Sequence, residues 1–209
     1  MPEIRLRAAT AAALAVAACA TTAGPPVHQV GTERRLDLGG LELTLDPTTD
    51  QRFIEIEDRP DDHTITFHEK DAEGTWARIE IHRRPIDAAT AAALRSNPGL
   101  LRQQHYLPDQ PLQPATTALG TPAHLVEMGL PEGTHHEPNP DGKGHSTVED
   151  LPRYQWMAAL VTPTAVFVLL YTADLHGPDT ADLTTDQILV EGRSRHGARA
   201  ASLLARLRR

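Results

Sequence analysis

Leu41-Glu42-Leu43-Thr44-Leu45 alternates apolar and polar residues, the period of a strand with one buried face, and Asp46-Pro47 stops it. The same period recurs on either side of Gly74, with Ile65 and Phe67 before it and Ala77, Ile79 and Ile81 after it. Both sets share one face of a hairpin when Ile65 pairs with Ile81 and Phe67 with Ile79. That register sets Asp71 opposite Thr75 and leaves Ala72-Glu73-Gly74 as the loop, with Gly where a type I turn plus bulge needs a positive φ. His68, Trp76, Arg78, Glu80 and His82 then fall on the opposite, polar face, where Trp76 is either buried by a bulge or a covering helix or left exposed as an anchor.

Further along, Asp87 is placed to cap a helix over 88–95, and Asn97-Pro98-Gly99 ends it. A second helical piece is predicted over 100–106 and a strand over 123–128. Two more strands, 154–161 and 165–172, meet at Thr162-Pro163-Thr164. Their apolar residues are nearly continuous, as in Val166-Phe167-Val168-Leu169-Leu170, which predicts strands covered on both faces. Near the C-terminus, Ala200, Leu203, Leu204 and Leu207 mark the buried stripe of a helix over about 198–208, with Arg199, Arg206 and Arg209 left toward water. The predicted fold class is α+β, a mostly antiparallel sheet with helices packed on it.

Residues 8–18 carry no charge and follow Arg5 and Arg7, which is the pattern of a secretory signal. The stretch is too short to span a bilayer, which takes about 20 apolar residues. It ends at Cys19, the single cysteine of the chain. Leu14-Ala15-Val16-Ala17-Ala18-Cys19 resembles the lipobox of bacterial lipoproteins. That resemblance implies removal of residues 1–18, a diacylglycerol on the Cys19 sulfur, acylation of the new amino terminus, and residence on the extracytoplasmic face of the cell membrane. Two plainer readings are a secreted protein cut near Ala18-Cys19-Ala20 and a cytosolic chain with an incidental thiol. Residues 19–35, small and Pro-containing at their start, are expected to form a lipidated N-terminus and flexible tether. A single domain is then expected over 36–209.

The order of elements, with Gly120-Thr121-Pro122-Ala123 opening one strand, is similar to the PsbP-like α/β/α sandwich family, which includes lipoproteins of the LpqN type. The resemblance covers roughly 36–208 and rests on element order. The family has no shared catalytic residues to carry over. Its members act mostly in binding or assembly, which is what the resemblance implies here.

The formal net charge of −8 argues against nucleic acid as a partner. Charge is uneven, since after Glu191 come Arg193, Arg195, Arg199, Arg206, Arg208 and Arg209 and no acid. These arginines either meet anionic lipid headgroups or complement their own helix end and the acidic body. Eleven His are present, and the densest group is His135-His136-Glu137 with Asp141 and His145, expected in one Gly/Pro-rich loop. Folded back, that loop offers a metal-ligand set of His135, His136 and His145, although no structural zinc spacing is matched. None of the serines at 96, 146, 194 and 202 sits in a G-x-S-x-G elbow. The acids at 55, 57, 58, 61 and 62 lack the spacing of a Ca²⁺ loop and are expected to form a solvated acidic loop. No catalytic set and no cofactor motif is predicted. The expected function is that of a non-enzymatic binding or assembly factor for an envelope protein, lipid or small ligand. Its partner is the membrane through Cys19, and Trp76 is the candidate partner anchor. The alternatives are a metal-binding protein and, remotely, an envelope hydrolase.

Overall fold

A computed structural model describes residues 27–208 apart from 60, 71–73, 132, 139–144 and 177–182; of 54, 58, 133–138 and 145–150 it describes the backbone alone. The architecture is an antiparallel α+β sandwich. In chain order the elements are β1 (Val27–Val30), β2 (Glu33–Asp37), β3 (Glu42–Thr44), β4 (Asp50–Asp58), β5 (His63–Lys70), β6 (Trp76–Pro85), α1 (Ala88–Ser96) and α2 (Leu100–Gln103). Then follow β7 (Gln113–Thr116), β8 (Pro122–Leu130), β9 (Gly133–Pro138), β10 (His145–Asp150), β11 (Arg153–Val161), β12 (Ala165–Asp174), α3 (Thr185–Ala205) and β13 (Leu207–Arg208). A central sheet of seven strands runs β4-β5-β6-β12-β11-β8-β7, a second sheet runs β1-β2-β3-β13, and β9 and β10 form a hairpin between β8 and β11. Every strand pair among the described residues is antiparallel.

Two cores lie on opposite faces of the central sheet, and strand parity divides them. On β11, Tyr154, Trp156, Ala158 and Leu160 face one core, while Ala159 and Val161 face the other; on β12, Phe167, Leu169 and Tyr171 oppose Val166 and Val168. The larger core takes in α3 through Ile188, Ala200, Leu203 and Leu204 and the four-stranded sheet through Leu36 and Leu43. The smaller is closed by Ala91 and Leu94 of α1 with Leu101 and Leu107. The nearly continuous apolar runs of β11 and β12 thus have a partner layer on each side.

The β5–β6 hairpin has the register that the alternation demands, with Ile65 opposite Ile81, Phe67 opposite Ile79 and Lys70 opposite Trp76. Gly74 has φ +89°, a conformation that costs a residue with a Cβ. Asp87 caps α1 by accepting a hydrogen bond from the Thr90 N–H at 2.7 Å.

Several expectations are corrected. The last helix begins at Thr185 rather than near 198, behind a capping box in which the Gln187 N–H donates to the Thr184 hydroxyl and the Gln187 side chain accepts from the Thr184 N–H. Gly192 and Gly197 hid that half of the helix, because glycine disfavours helix by propensity. Their presence follows from packing: a Cβ on Gly192 would collide with the Tyr154 ring, and one on Gly129 of β8 with the α3 backbone. The backbones of α3 and the sheet can therefore approach closely only with glycine at both positions. Leu207 is buried as expected, but in β13, where it pairs with Leu43. Arg206 does not face water; it forms two bonds to the carboxylate of Glu69, which is 1% exposed, at 2.7 and 3.2 Å.

Further, residues 27–30 and 33–35, expected to lie in the tether, form β1 and the start of β2, which continues into the domain to Asp37. The supposed acidic loop is in large part strand. Glu55, Glu57 and Asp58 belong to β4, where a bulge between Phe53 and Glu55 breaks the period that would have shown it. The expected His-rich loop is the β9–β10 hairpin, in which His135 pairs with Val148, His136 with Thr147 and His145 with Pro138. Alternation in Thr134–Pro138 and Thr147–Asp150 is hard to read there because, apart from Val148 and Pro138, the residues are polar and carry no apolar signal.

Candidate ligand pocket

At one end of the sandwich, three turns and two chain segments leave a pocket of about 790 Å³. Gly40 and Leu41 of the β2–β3 turn line one side, together with Leu207 of β13. Leu94 and Arg95 from the last turn of α1 line the opposite side. Between them lie the β7–β8 turn, with Leu119 and Gly120, and the end of the central sheet, with His124 and Leu160 through Pro163. Leu41, Leu160 and Leu207 belong to the larger core, and Leu94 and Val161 to the smaller. The pocket therefore rounds the end of the central sheet and touches both cores. Its size falls in the range of about 300–1,000 Å³ found for small-molecule sites.

The turns that shape it are self-contained. The Thr117 hydroxyl accepts from the N–H groups of Leu119 and Thr121 at 3.2 and 3.1 Å. The Thr162 hydroxyl accepts from the Ala165 N–H at 3.0 Å and donates to the Ala165 carbonyl at 2.9 Å. These hydroxyls are spent on holding the rim rather than on a ligand. The ionisable side chains are Arg95 and His124, and neither has a hydrogen-bond or ion-pair partner among the described residues. Burial holds the His124 pKa below the usual imidazole value, so it is neutral at neutral pH. No carboxylate lines the pocket.

A second cluster occupies the face of β5 and β6 that no helix covers. The His82 Nδ1 lies 3.0 Å from the Thr64 hydroxyl and 3.2 Å from Asp62 Oδ2, and Nε2 is 3.7 Å from Glu80 Oε2. Arg84 Nε reaches the same Asp62 oxygen at 3.3 Å. The Glu80 carboxylate, then Asp62, hold the His82 pKa above its ordinary value, against the opposing pull of burial. His82 in turn holds Glu80 below the usual range. A nucleophilic triad needs the hydroxyl and the orienting acid on opposite ring nitrogens. Here Thr64 and Asp62 share Nδ1, and Glu80, on the opposite nitrogen, stands beyond hydrogen-bond distance at 3.7 Å, so the contacts are those of an imidazole held between two carboxylates.

Trp76 lies on the polar face where parity placed it and is exposed (42%) rather than buried by a bulge or helix, with Lys70 Nζ 5.6 Å from its ring and the His68 ring 6.1 Å away. Cys19 and Asp141 lie outside the described residues, as do the side chains of His135, His136 and His145. Among the described residues, no group of three or more His, Cys, Asp or Glu is placed to hold a metal ion. No helix among them is long and apolar enough to cross a membrane. Neither the pocket nor the His82 cluster was foreseen. Parity had put His82 and Glu80 on one face, but Asp62 reaches them from the turn before β5, and the pocket gathers segments far apart in sequence.

No family model matches the chain, and no curated protein matches its sequence.

Proposed function

We propose that this protein is a non-enzymatic binding protein of the bacterial envelope, tethered to the outer face of the cell membrane by a lipid on Cys19, and that the end pocket is its ligand site. The observation that carries the reading is the pocket: about 790 Å³ with mostly apolar walls and two unpartnered polar side chains. Support for the anchor comes from the uncharged run that ends in Leu14-Ala15-Val16-Ala17-Ala18-Cys19. Two or more acyl chains hold a protein stably where a single one holds it only marginally. The antiparallel sheet between α1 and α2 on one face and α3 on the other also supports membership of the PsbP-like sandwich family.

Two measurements test the two parts. Cys19→Ser should move the protein from the membrane fraction to the soluble fraction; retention in the membrane overturns the anchor. The uncharged probe N-phenyl-1-naphthylamine should bind the purified protein saturably, and Leu119→Trp, which fills the pocket from its half-buried rim, should weaken that binding about tenfold or more. A probe that does not bind, or binds the variant equally well, overturns the pocket as ligand site.

A further inference from the structure

The chain holds three methionines, Met1, Met128 and Met157, and the central sheet brings the last two together. In the register of β8 with β11, Met128 pairs with Gln155 and Met157 with Val126. Met128 and Met157 are therefore diagonal neighbours on one face of adjacent strands, roughly 7–8 Å apart and within reach of long side chains. Both are half-buried, so neither is sealed into the interior. Met157 packs against the smaller core, which explains one of them, but Met128 packs against neither core. The two line a second cavity, an open groove of about 580 Å³ between α2 and the β8–β11 pair.

The other wall of the groove is the turn that ends α2, and its geometry singles out His105. The Tyr106 N–H donates to the Leu101 carbonyl at 2.8 Å and the His105 N–H to the Arg102 carbonyl at 3.0 Å. That pair of bonds closes a helix through one residue in the left-handed conformation. Here it is His105, with φ +58°, the one non-glycine of positive φ among the described residues. Glycine is the usual occupant of this position, because it has no Cβ to strain. The bonds that hold His105 in the turn use its backbone, the N–H to Arg102 and the carbonyl from Arg84 at 3.5 Å, and none of them needs an imidazole. A histidine is thus kept where it costs stability, and it lines the same groove as the two methionines. The charged residues on the rim, Arg102 and Asp109, pair with each other at 3.3 Å.

We propose that Met128, Met157 and His105 form a binding site for a soft monovalent metal ion, Cu(I). Two thioethers and an imidazole make an uncharged, soft donor set. Thioethers select Cu(I) over harder divalent ions, and imidazole also suits copper. Uncharged donors favour a monovalent ion, because a higher charge costs more to take out of water. The groove shares no lining residue with the end pocket, so this site stands or falls apart from the ligand site proposed there.

The test uses the full chain carrying Cys19→Ser, so that the thiol does not compete, and Cu(I) presented without oxygen as its coloured bicinchoninate complex. The protein should withdraw Cu(I) from the complex in an equimolar amount. Met128→Leu and Met157→Leu nearly conserve side-chain volume, and each should weaken Cu(I) binding about tenfold or more while the urea midpoint stays close to that of the parent. His105→Gly should also weaken binding, yet without lowering the urea midpoint, since glycine suits the turn better. An excess of Zn²⁺ should leave the bound Cu(I) in place. If no Cu(I) is withdrawn, or both leucine variants keep the full affinity, the site is overturned. Displacement of Cu(I) by Zn²⁺ overturns the soft-donor assignment. If His105→Gly binds as tightly as the parent, His105 is not a ligand and the three-donor site falls.

Discussion

The central sheet has two halves built on different rules. In β11 and β12, side chains on both faces are buried, Tyr154 and Trp156 against α3 and Ala159 and Val168 against α1 and α2. In β5 and β6, one face is apolar and buried, and the other carries Thr64, Glu80, His82 and Arg84. The two tryptophans mark the contrast: Trp156 is 2% exposed and Trp76 is 42% exposed, on strands separated only by β12. The difference teaches that the number of covering layers, not membership of the sheet, decides what a strand's second face can hold. Where two layers meet at the sheet's end, there is a half-open, largely apolar pocket. Where only one layer is present, polar groups stay close enough to water to titrate.

The largest break in that contrast is Trp156→Ala. Removing a fully buried indole leaves a cavity and should cost about 3–5 kcal/mol, seen as a lower urea midpoint with an unchanged m-value. A loss under about 1 kcal/mol would mean that the covered half is loosely packed.

A smaller effect belongs to the open half. His82 has a folded pKa above its ordinary 6.5, so its contribution is complete below that pH and is lost as pH rises through the raised value. Glu80, held below its ordinary 4.5, contributes above that pH and loses its contribution as pH falls through the lowered value. The pair is therefore most stabilising between the two ordinary values. Raising the pH from about 5.5 to about 8.5 should remove up to ~1 kcal/mol in the wild type, measured by urea titration at each pH. His82→Gln should flatten that dependence; an equally steep loss in the variant would assign it to other groups.

The smallest effect is expected at the exposed indole. Trp76→Ala should change stability by less than about 0.5 kcal/mol, as for other surface positions. Acrylamide should quench the Trp76 emission that remains in Trp156→Phe far more than the Trp156 emission that remains in Trp76→Phe. Equal quenching would place both tryptophans in similar surroundings.

Much of the fold was legible where local pattern and tertiary need agree. The β5–β6 register followed from the parity of Ile65, Phe67, Ile79 and Ile81 together with Gly74, and the double covering of β11 and β12 from their unbroken apolar runs. The α1 cap followed from Asp87. Legibility failed where packing overrides propensity. Gly192 suits the Tyr154 ring rather than the helix it sits in, and the β4 bulge shifts Glu55 and Ile56 out of phase with Phe53. Arg206 looked like a surface cation because its partner, Glu69, lies buried in a distant strand. The pocket gave no sequence signal, since Gly40, Arg95, Gly120, Pro163 and Leu207 belong to five separate segments, each with its own local reason to be there.

The pairing of β13 with β3 has a consequence for how the molecule comes to be built. Leu207 and Leu43 are neighbours in the second sheet but come from opposite ends of the described chain. A polypeptide that appears vectorially, amino end first, exposes Leu36, Leu41 and Leu43 long before their partner arrives. Contacts so distant in sequence make folding slow, and the exposed leucines of β2 and β3 need protection during that interval. The pocket inherits this timing, because Leu207 forms part of its wall. The proposed ligand site is thus complete only once β13 has paired with β3.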